Sequence, residues 1–398
     1  MSLSILWLGR ILPLPLNAGD RVYSAQLVGA VARAGAKVVF FGLNNPDEPT
    51  DGLTHLEPMV QWRQVPGTPR SRFTSLLSTL PMVGARFATR QYQKEIAREL
   101  ATNVYDAVVI DQYGMGWALS EVEQLARNDP VIVHLAHNFE TELTADIARN
   151  FSGDAVRKLL LSENARKTRL MEQKLVQRCR LLITLTDHDG AAFTAINPAL
   201  QSIVLPPGYS GPKQKKRIID KAVPRRAIIV GSFSWIAKQM NLRRFLEVAS
   251  APFAQHGIEL HLIGRVPDSL KSQLQARFPW VVFRGFVDDL NREFENARIA
   301  LVPEETGGGF KLKILDYIYG RVPIGAIESS LEGIPDQIKL WFLIADDLQT
   351  LVNNVVDTID DIARLNMMQD RAFALAENAF SWDVNGRRFV NAVESAAA

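Results

Sequence analysis

The run from Val302 to Pro335, V-P-E-E-T-G-G-G-F-K-L-K-I-L-D-Y-I-Y-G-R-V-P-I-G-A-I-E-S-S-L-E-G-I-P, constrains the fold more than any other part of the chain. It leaves a wholly apolar, strand-like run (Ile299–Val302) and passes at once through Gly307, Gly308 and Gly309. Apolar residues at Phe310, Leu312, Ile314, Leu315 and Ile318 then predict a helix, and Val322–Ala326 a second short strand. Strand, glycine turn, helix and strand make a parallel crossover, which is right-handed and places its ligand at the carboxyl end of the strand. Glycines let an anion approach the backbone N–H groups at a helix start. Lys311 and Lys313 fall in the first turn of the predicted helix, where carboxylates are normally favoured, so they point to an anionic ligand. A tight turn with solvated lysines is the alternative that these residues alone leave open. The spacing fits neither a P-loop nor the dinucleotide fingerprint, which need other glycine intervals.

The rest of the chain fits an α/β protein of two such units. A length of 398 residues suits two domains of roughly 150–200 residues each. A net charge of +2 gives no reason to expect a nucleic-acid partner. The single cysteine, Cys179, excludes an intramolecular disulfide and a cysteine-based zinc site and agrees with a reducing, cytoplasmic setting. No apolar run approaches the ~18 residues of a membrane span, and Leu3–Leu8 reads as a buried parallel strand rather than a signal peptide.

After that strand, prolines 13 and 15 forbid helix, and Asp20 is placed to cap a helix with apolar Val22, Leu27, Val28 and Val31. Residues 44–104 are less regular, with a turn-rich loop at Pro46–Thr50, a strand at Trp62–Val65 and helices at Thr74–Leu80 and Ala88–Leu100. Their loops mix basic and apolar residues (Arg70, Arg72, Phe73, Arg86, Phe87, Arg90), as solvated helix faces do and as a surface for an acceptor or anionic lipid would. Ala107–Asp111 and Val131–Ala136 are further strands, the second ending in His137-Asn138-Phe139-Glu140. A polar cluster at the carboxyl end of a parallel strand is where such folds keep their site, which makes His137 and Asp111 candidates. The long charged helix Asp154–Arg178, the strand Leu181–Leu185 and a helix capped at Thr186-Asp187 complete the first unit. Leu205-Pro206-Pro207-Gly208 breaks the chain, and the seven Lys and Arg residues from Lys213 to Arg226 predict a solvated linker. Boundaries follow at 1–206, linker 207–226, 227–378, and a terminal helix 379–398 that begins near Ser381-Trp382-Asp383. In the second unit strands at Ala227–Val230, Glu259–Ile263 and Val281–Arg284 alternate with helices at Leu242–Ala249, Ser269–Arg277 and Asp288–Asn296.

The glycine stretch resembles the sugar-nucleotide loop of the retaining GT-B glycosyltransferases: Pro303, Gly307, Gly309, Lys311, Lys313, Gly320 and Pro323 fall into that pattern. Leu331-Glu332-Gly333-Ile334 matches the segment that follows it, and the H-N-x-E at 137–140 recurs in a subgroup of the same enzymes. The resemblance implies two Rossmann-like domains with parallel sheets facing across a cleft, and a C-terminal helix that crosses back to the first domain. It implies a nucleoside-diphosphate sugar, UDP- or GDP-linked, as co-substrate and no cofactor or metal. The acceptor would be a hydroxyl of a glycan, a lipid-linked sugar or a protein. It also implies site roles. Gly19, Ser232, Lys238, Arg265, Val287, Gly307, Gly308, Gly309, Phe310, Lys311 and Lys313 would line the donor. Asp20, Arg21, Asp111, Asn138 and Glu140 would lie on the acceptor side, and His137, Asp316 and Glu305 would carry catalysis. The departures fall on carboxylates. Asp316 stands where a glutamate is usual, and the earlier glutamate of Glu-x7-Glu is Gly308 here, leaving Glu304 or Glu305 to reach the sugar. A sugar-nucleotide epimerase and a non-catalytic sugar-nucleotide-binding protein are the alternatives. Peripheral contact with the inner face of a membrane stays open, as does the oligomeric state.

Overall fold

The computed structural model of the protein describes residues 2–397 except 17, 45–51, 53–56, 72–74, 76, 77, 308 and 378. The loop expected at Pro46–Thr50, Arg72, Phe73, Gly308 and half of the helix expected at Thr74–Leu80 lie outside the described residues. The chain divides into one unit of residues 1–208 with 381–398 and a second of residues 209–380. Among the described residues no helix is long and apolar enough to cross a membrane.

In the first unit seven parallel strands are β1 (Ser4–Ile11), β2 (Lys37–Leu43), β3 (Val60–Val65), β4 (Ala107–Asp111), β5 (Val131–Ala136), β6 (Leu181–Thr184) and β7 (Gln201–Val204), in the order β3-β2-β1-β4-β5-β6-β7. Ile5 to Leu8 and Ala107 to Ile110 are completely buried, as strands covered by helices on both faces must be. The strand order reverses between β1 and β4, which pair from Ile5↔Ala107 to Leu8↔Ile110, so their carboxyl ends open a crevice. The helix after β1, Gly19–Arg33, starts from an extended Ala18 with no side-chain cap. Asp20 therefore lies inside its first turn, where it pairs with Arg10 at 2.5 Å instead of capping. The cap expected at Thr186 is present and accepts from Asp189 N (3.1 Å), and Asp154, read as the first residue of the long helix, caps it by accepting from Arg157 N (2.8 Å).

The C-terminal helix Trp382–Ala397 crosses back onto the first unit and lies against the helix Gly19–Arg33. Gly386 makes the crossing close, because a Cβ there would run into the carbonyl oxygen of Ala30. Phe389 stacks on Trp7 with ring centroids 5.4 Å apart, Trp382 meets Tyr23 edge-on at 5.3 Å, and Asn385 Nδ2 donates to Pro206 O at 2.5 Å.

In the second unit six parallel strands, β8 (Arg226–Val230), β9 (Glu259–Ile263), β10 (Val281–Gly285), β11 (Ile299–Val302), β12 (Ile324–Ile327) and β13 (Leu343–Ala345), run in the order β10-β9-β8-β11-β12-β13 and reverse between β8 and β11. At their carboxyl ends the loops lean on one another: Gly231 N donates to Ile263 O and Gly264 N to Gly285 O. Gly264 has φ +116, and a Cβ on it would strike the Gly231 carbonyl. The helix expected at Leu242–Ala249 runs from Ile236 to Gln255. The helix of the glycine stretch is shorter than its apolar spacing suggested, Lys313–Tyr319, and Phe310 turns inward to meet Phe380 edge-on at 5.9 Å. The charged run 212–226 is solvated at Lys213, Lys215, Lys216 and Lys221 but not throughout. Arg217 is buried and its guanidinium donates to Arg321 O, Gln369 Oε1, Phe294 O and Ala297 O, while Ile219 joins the core of this unit. A guanidinium with five donors can staple several carbonyls at once, which charge counting does not foresee.

Replacing Gly386 with leucine should lower stability by about 1–3 kcal/mol through overpacking at the helix crossing, read as a fall in Tm. Wild-type melting of that variant would contradict the close crossing.

Candidate active site

The loop between β11 and the helix Lys313–Tyr319 is held from several sides. Asn241, buried on the helix Ile236–Gln255, clamps Thr306 with both ends of its amide: Nδ2 donates to Thr306 O at 2.6 Å and Oδ1 accepts from Thr306 N at 3.0 Å. Glycines 307 and 309 adopt φ +135 and +74, conformations closed to most side chains. Gly309 N donates to Glu332 at 3.1 Å. Glu304 is buried under this loop and pairs with Lys313. Burial alone would push its carboxyl up, but Lys313, then Lys311 and Lys238, outweigh burial and hold it at about 2. Lys311 Nζ donates to the carbonyls of Gly307 and Gly309, each at 3.2 Å. Lys313 opens the short helix and so lies in its first turn as expected, while Lys311 precedes the helix. The structure brings Lys238, Lys311 and Lys313 to one carboxylate, with Gly307 and Gly309 tied to Lys311 through their carbonyls, while Gly308 is outside the described residues.

The other expected residues of this unit surround the carboxyl ends of neighbouring strands. Ser232 follows β8, with its hydroxyl 3.3 Å from that of Ser234. Exposed Arg265 follows β9, and its carbonyl accepts from Phe233 N at 2.9 Å. Val287 is half-buried after β10. Phe310 contributes its backbone at most, since its ring is committed to Phe380. Glu305 pairs with Arg244 at 3.1 Å. Asp316 is half-buried beside Tyr209; burial raises its carboxyl to about 7, opposed by the tyrosine hydroxyl.

In the first unit a second polar cluster sits at the carboxyl ends of β1, β4 and β5. His137 Nε2 lies 2.8 Å from Asp111 Oδ1, and Trp7 Nε1 donates to Asp111 Oδ2 at 2.9 Å. Burial would raise the Asp111 carboxyl, but His137, Trp7 and Ser24 together hold it below the usual range. An ionised Asp111 accepts from Nε2–H, which fixes the ring and leaves Nδ1 for another partner. Tyr23 meets the imidazole edge-on at 5.3 Å. Asp111 is thus a buried residue that orients His137 rather than one placed to meet an acceptor. Gln112 follows with φ +71, a backbone state that costs of order 1–3 kcal/mol and is concentrated at functional sites.

The loop 137–141 is tied down by buried carboxyls. Asp189 accepts from Phe139 N at 2.8 Å, and Glu172 accepts from Glu140 N at 3.0 Å and Thr141 N at 2.6 Å. Burial pushes Glu172 up to about 8 and also raises Glu140, which accepts from Asn138 Nδ2 at 3.0 Å. Of the remaining expected residues, Gly19 begins the helix after β1, and Arg21 reaches toward the carbonyls of Leu14 and Pro15 at 3.4 and 3.5 Å. Sequence reasoning passed over Trp7, Glu172, Asp189 and the clamp role of Asn241. Asn241 was visible as the last residue of G-S-x-x-W-x-x-x-x-x-N, whereas Glu172 acts across 31 and 32 residues and leaves no local signal.

Residues 224–361 match the family model described as "Glycosyl transferases group 1". No curated protein matches the chain. Solved structures do. HepE from Anabaena, in complex with UDP and glucose, is 13% identical with a TM-score of 0.66, over 99% of this chain and 100% of that one. A trehalose-6-phosphate structure from E. coli, bound with UDP-2-fluoro glucose, is 13% identical with a TM-score of 0.65, over 98% of each chain. A TarM variant from S. aureus, in complex with Fondaparinux, alpha-GlcNAc-glycerol and UDP, is 8% identical with a TM-score of 0.68, over 98% of this chain and 99% of that one. The chain has the GT-B fold, and its segment 224–361 is a group 1 glycosyltransferase domain.

Proposed function

We propose that the protein is a retaining glycosyltransferase that moves a hexose from a nucleoside-diphosphate sugar to a hydroxyl of a glycan, lipid-linked or protein acceptor. The observation that carries this reading is the lysine-ringed loop 303–313 lying inside the segment that matches the glycosyltransferase family. Among the donors, a uridine diphosphate sugar is favoured over a guanosine one, because the structural neighbours named above were solved with UDP or a UDP-sugar.

The diphosphate lies against the loop N–H groups, with Lys238, Lys311 and Lys313 supplying positive charge. As the bond between the sugar C1 and the phosphate oxygen breaks, its electron pair leaves on the diphosphate, and fixed cations stabilise the charge that develops there. The acceptor oxygen forms the new bond to C1, and its proton passes to the leaving phosphate. Glu304 takes no part in bonding to the sugar; it keeps the lysine side chains in place. His137, held through Asp111, orients the sugar or the acceptor hydroxyl. Localisation to the cytoplasm is part of the same proposal.

Lys311→Ala should reduce kcat/KM by about a hundredfold or more, with most of the loss tracking diphosphate affinity; steady-state kinetics equal to wild type would remove Lys311 from the site. His137→Ala should lower kcat by about a hundredfold through misorientation while UDP affinity is kept, which calorimetry and turnover measured together would separate. Asp316 gives a pH signature. Its carboxyl binds a proton more tightly when folded (about 7) than unfolded (3.8), so its contribution to stability is complete below about 4 and is lost as pH rises through 7. Asp316→Asn should flatten the fall of Tm over that window, and an unchanged Tm–pH profile would show that the carboxyl titrates normally.

A further inference from the structure

One N–H of the lysine-ringed loop is held by an anionic side chain from elsewhere in the second unit. Gly309 N donates to Glu332 Oε2 at 3.1 Å, across 23 residues of chain. The pairing of β11 with β12 brings this about, because the turns that leave the carboxyl ends of parallel neighbours lie side by side. The turn after β12, Glu328–Leu331, is set by buried groups: Ser330 Oγ lies 2.7 Å from Ile327 O and 3.2 Å from Val302 O, and Leu331 and Ile334 are in the core. The Glu332 side chain that leaves this turn is half-buried, so its carboxylate can move while the backbone beneath it stays.

The shape of the loop has other supports. Asn241 clamps Thr306, Lys311 Nζ holds the carbonyls of Gly307 and Gly309, and Lys313 pairs with Glu304. None of these ties uses the N–H of Gly309. A carboxylate oxygen and a phosphate oxygen are acceptors of the same kind, and an N–H directs its bond along one axis. A diphosphate that takes this N–H must therefore replace Glu332, since two anionic oxygens at one donor would crowd and repel each other.

We infer that Glu332 stands in for a phosphate oxygen at Gly309 and is displaced when a nucleoside diphosphate binds, so that the protein tunes down the affinity of its own site. The inference rests on the proposed reading that the loop 303–313 takes the diphosphate of a sugar donor. A ligand that must displace an internal competitor binds more weakly by the fraction of molecules in which the competitor is seated. The same exchange works in reverse: Glu332 returns to Gly309 as the nucleoside diphosphate leaves, which favours release of that product.

The test is calorimetric titration of UDP and of uridine into the full chain as wild type, Glu332→Ala and Glu332→Gln. Alanine leaves nothing to displace, and the Kd for UDP should fall about tenfold, as when a competing arrangement that holds about nine-tenths of the molecules is removed. Glutamine keeps an acceptor for Gly309 N without the charge, so its gain should be smaller. Uridine has no phosphate and should bind all three proteins alike. UDP affinity in Glu332→Ala equal to or below that of wild type would make Glu332 a support of the loop and overturn the inference. A larger gain with glutamine than with alanine would overturn it too, as the mark of a carboxylate that stays in place and only repels. If wild type binds no UDP, the donor reading fails and this inference with it; if wild type binds UDP and both variants match it, this inference alone fails.

Discussion

The ion pair between Glu304 and Lys313 ties the loop after β11 to the helix that follows it, and the charge around that pair determines what the loop can hold. A buried carboxylate without a partner would be strongly unfavourable, and one cation would suffice to neutralise it. Here Lys311 and Lys238 act on the same carboxylate as well, so three lysines gather at one loop. The Asn241 clamp and the two glycines at positive φ keep the loop backbone beside them in a fixed conformation. Arrangement before binding is what lets fixed charges stabilise a leaving group without reorganising.

The first unit uses buried carboxyls for a similar purpose. Asp111 holds the His137 ring, while Asp189 and Glu172 hold the backbone just after it. These carboxyls are buried and their oxygens are spent on named donors, so they fix geometry instead of meeting a substrate.

Much of this was legible in the sequence because the signals were local. Continuous apolar runs gave the strands, and glycines and lysines at fixed spacing marked the loop on β11. What remained hidden depended on residues far apart in the chain. Arg217 looked like one more charge in a solvated run, yet its guanidinium is buried against carbonyls 77 to 104 residues away. The lysines at 311 and 313 were rightly read as unusual, but the short helix and the partner at Glu304 follow from tertiary packing. Glu305 was the acid chosen for the site, and the structure turns it toward Arg244. Phe310 and Asp20 were misjudged for the same reason: Phe310 belongs to an aromatic contact with Phe380 and Asp20 to an ion pair with Arg10.

The central claim is that the lysine-ringed loop binds a nucleoside diphosphate, and calorimetric titration of UDP into the full chain tests it most directly. Binding should be enthalpically detectable, much weaker for uridine than for UDP, and weakened by salt as expected of a site built on cations. Equal affinity for uridine and UDP, or no heat with UDP, GDP or ADP, would contradict the account and leave the three lysines as structural partners of Glu304.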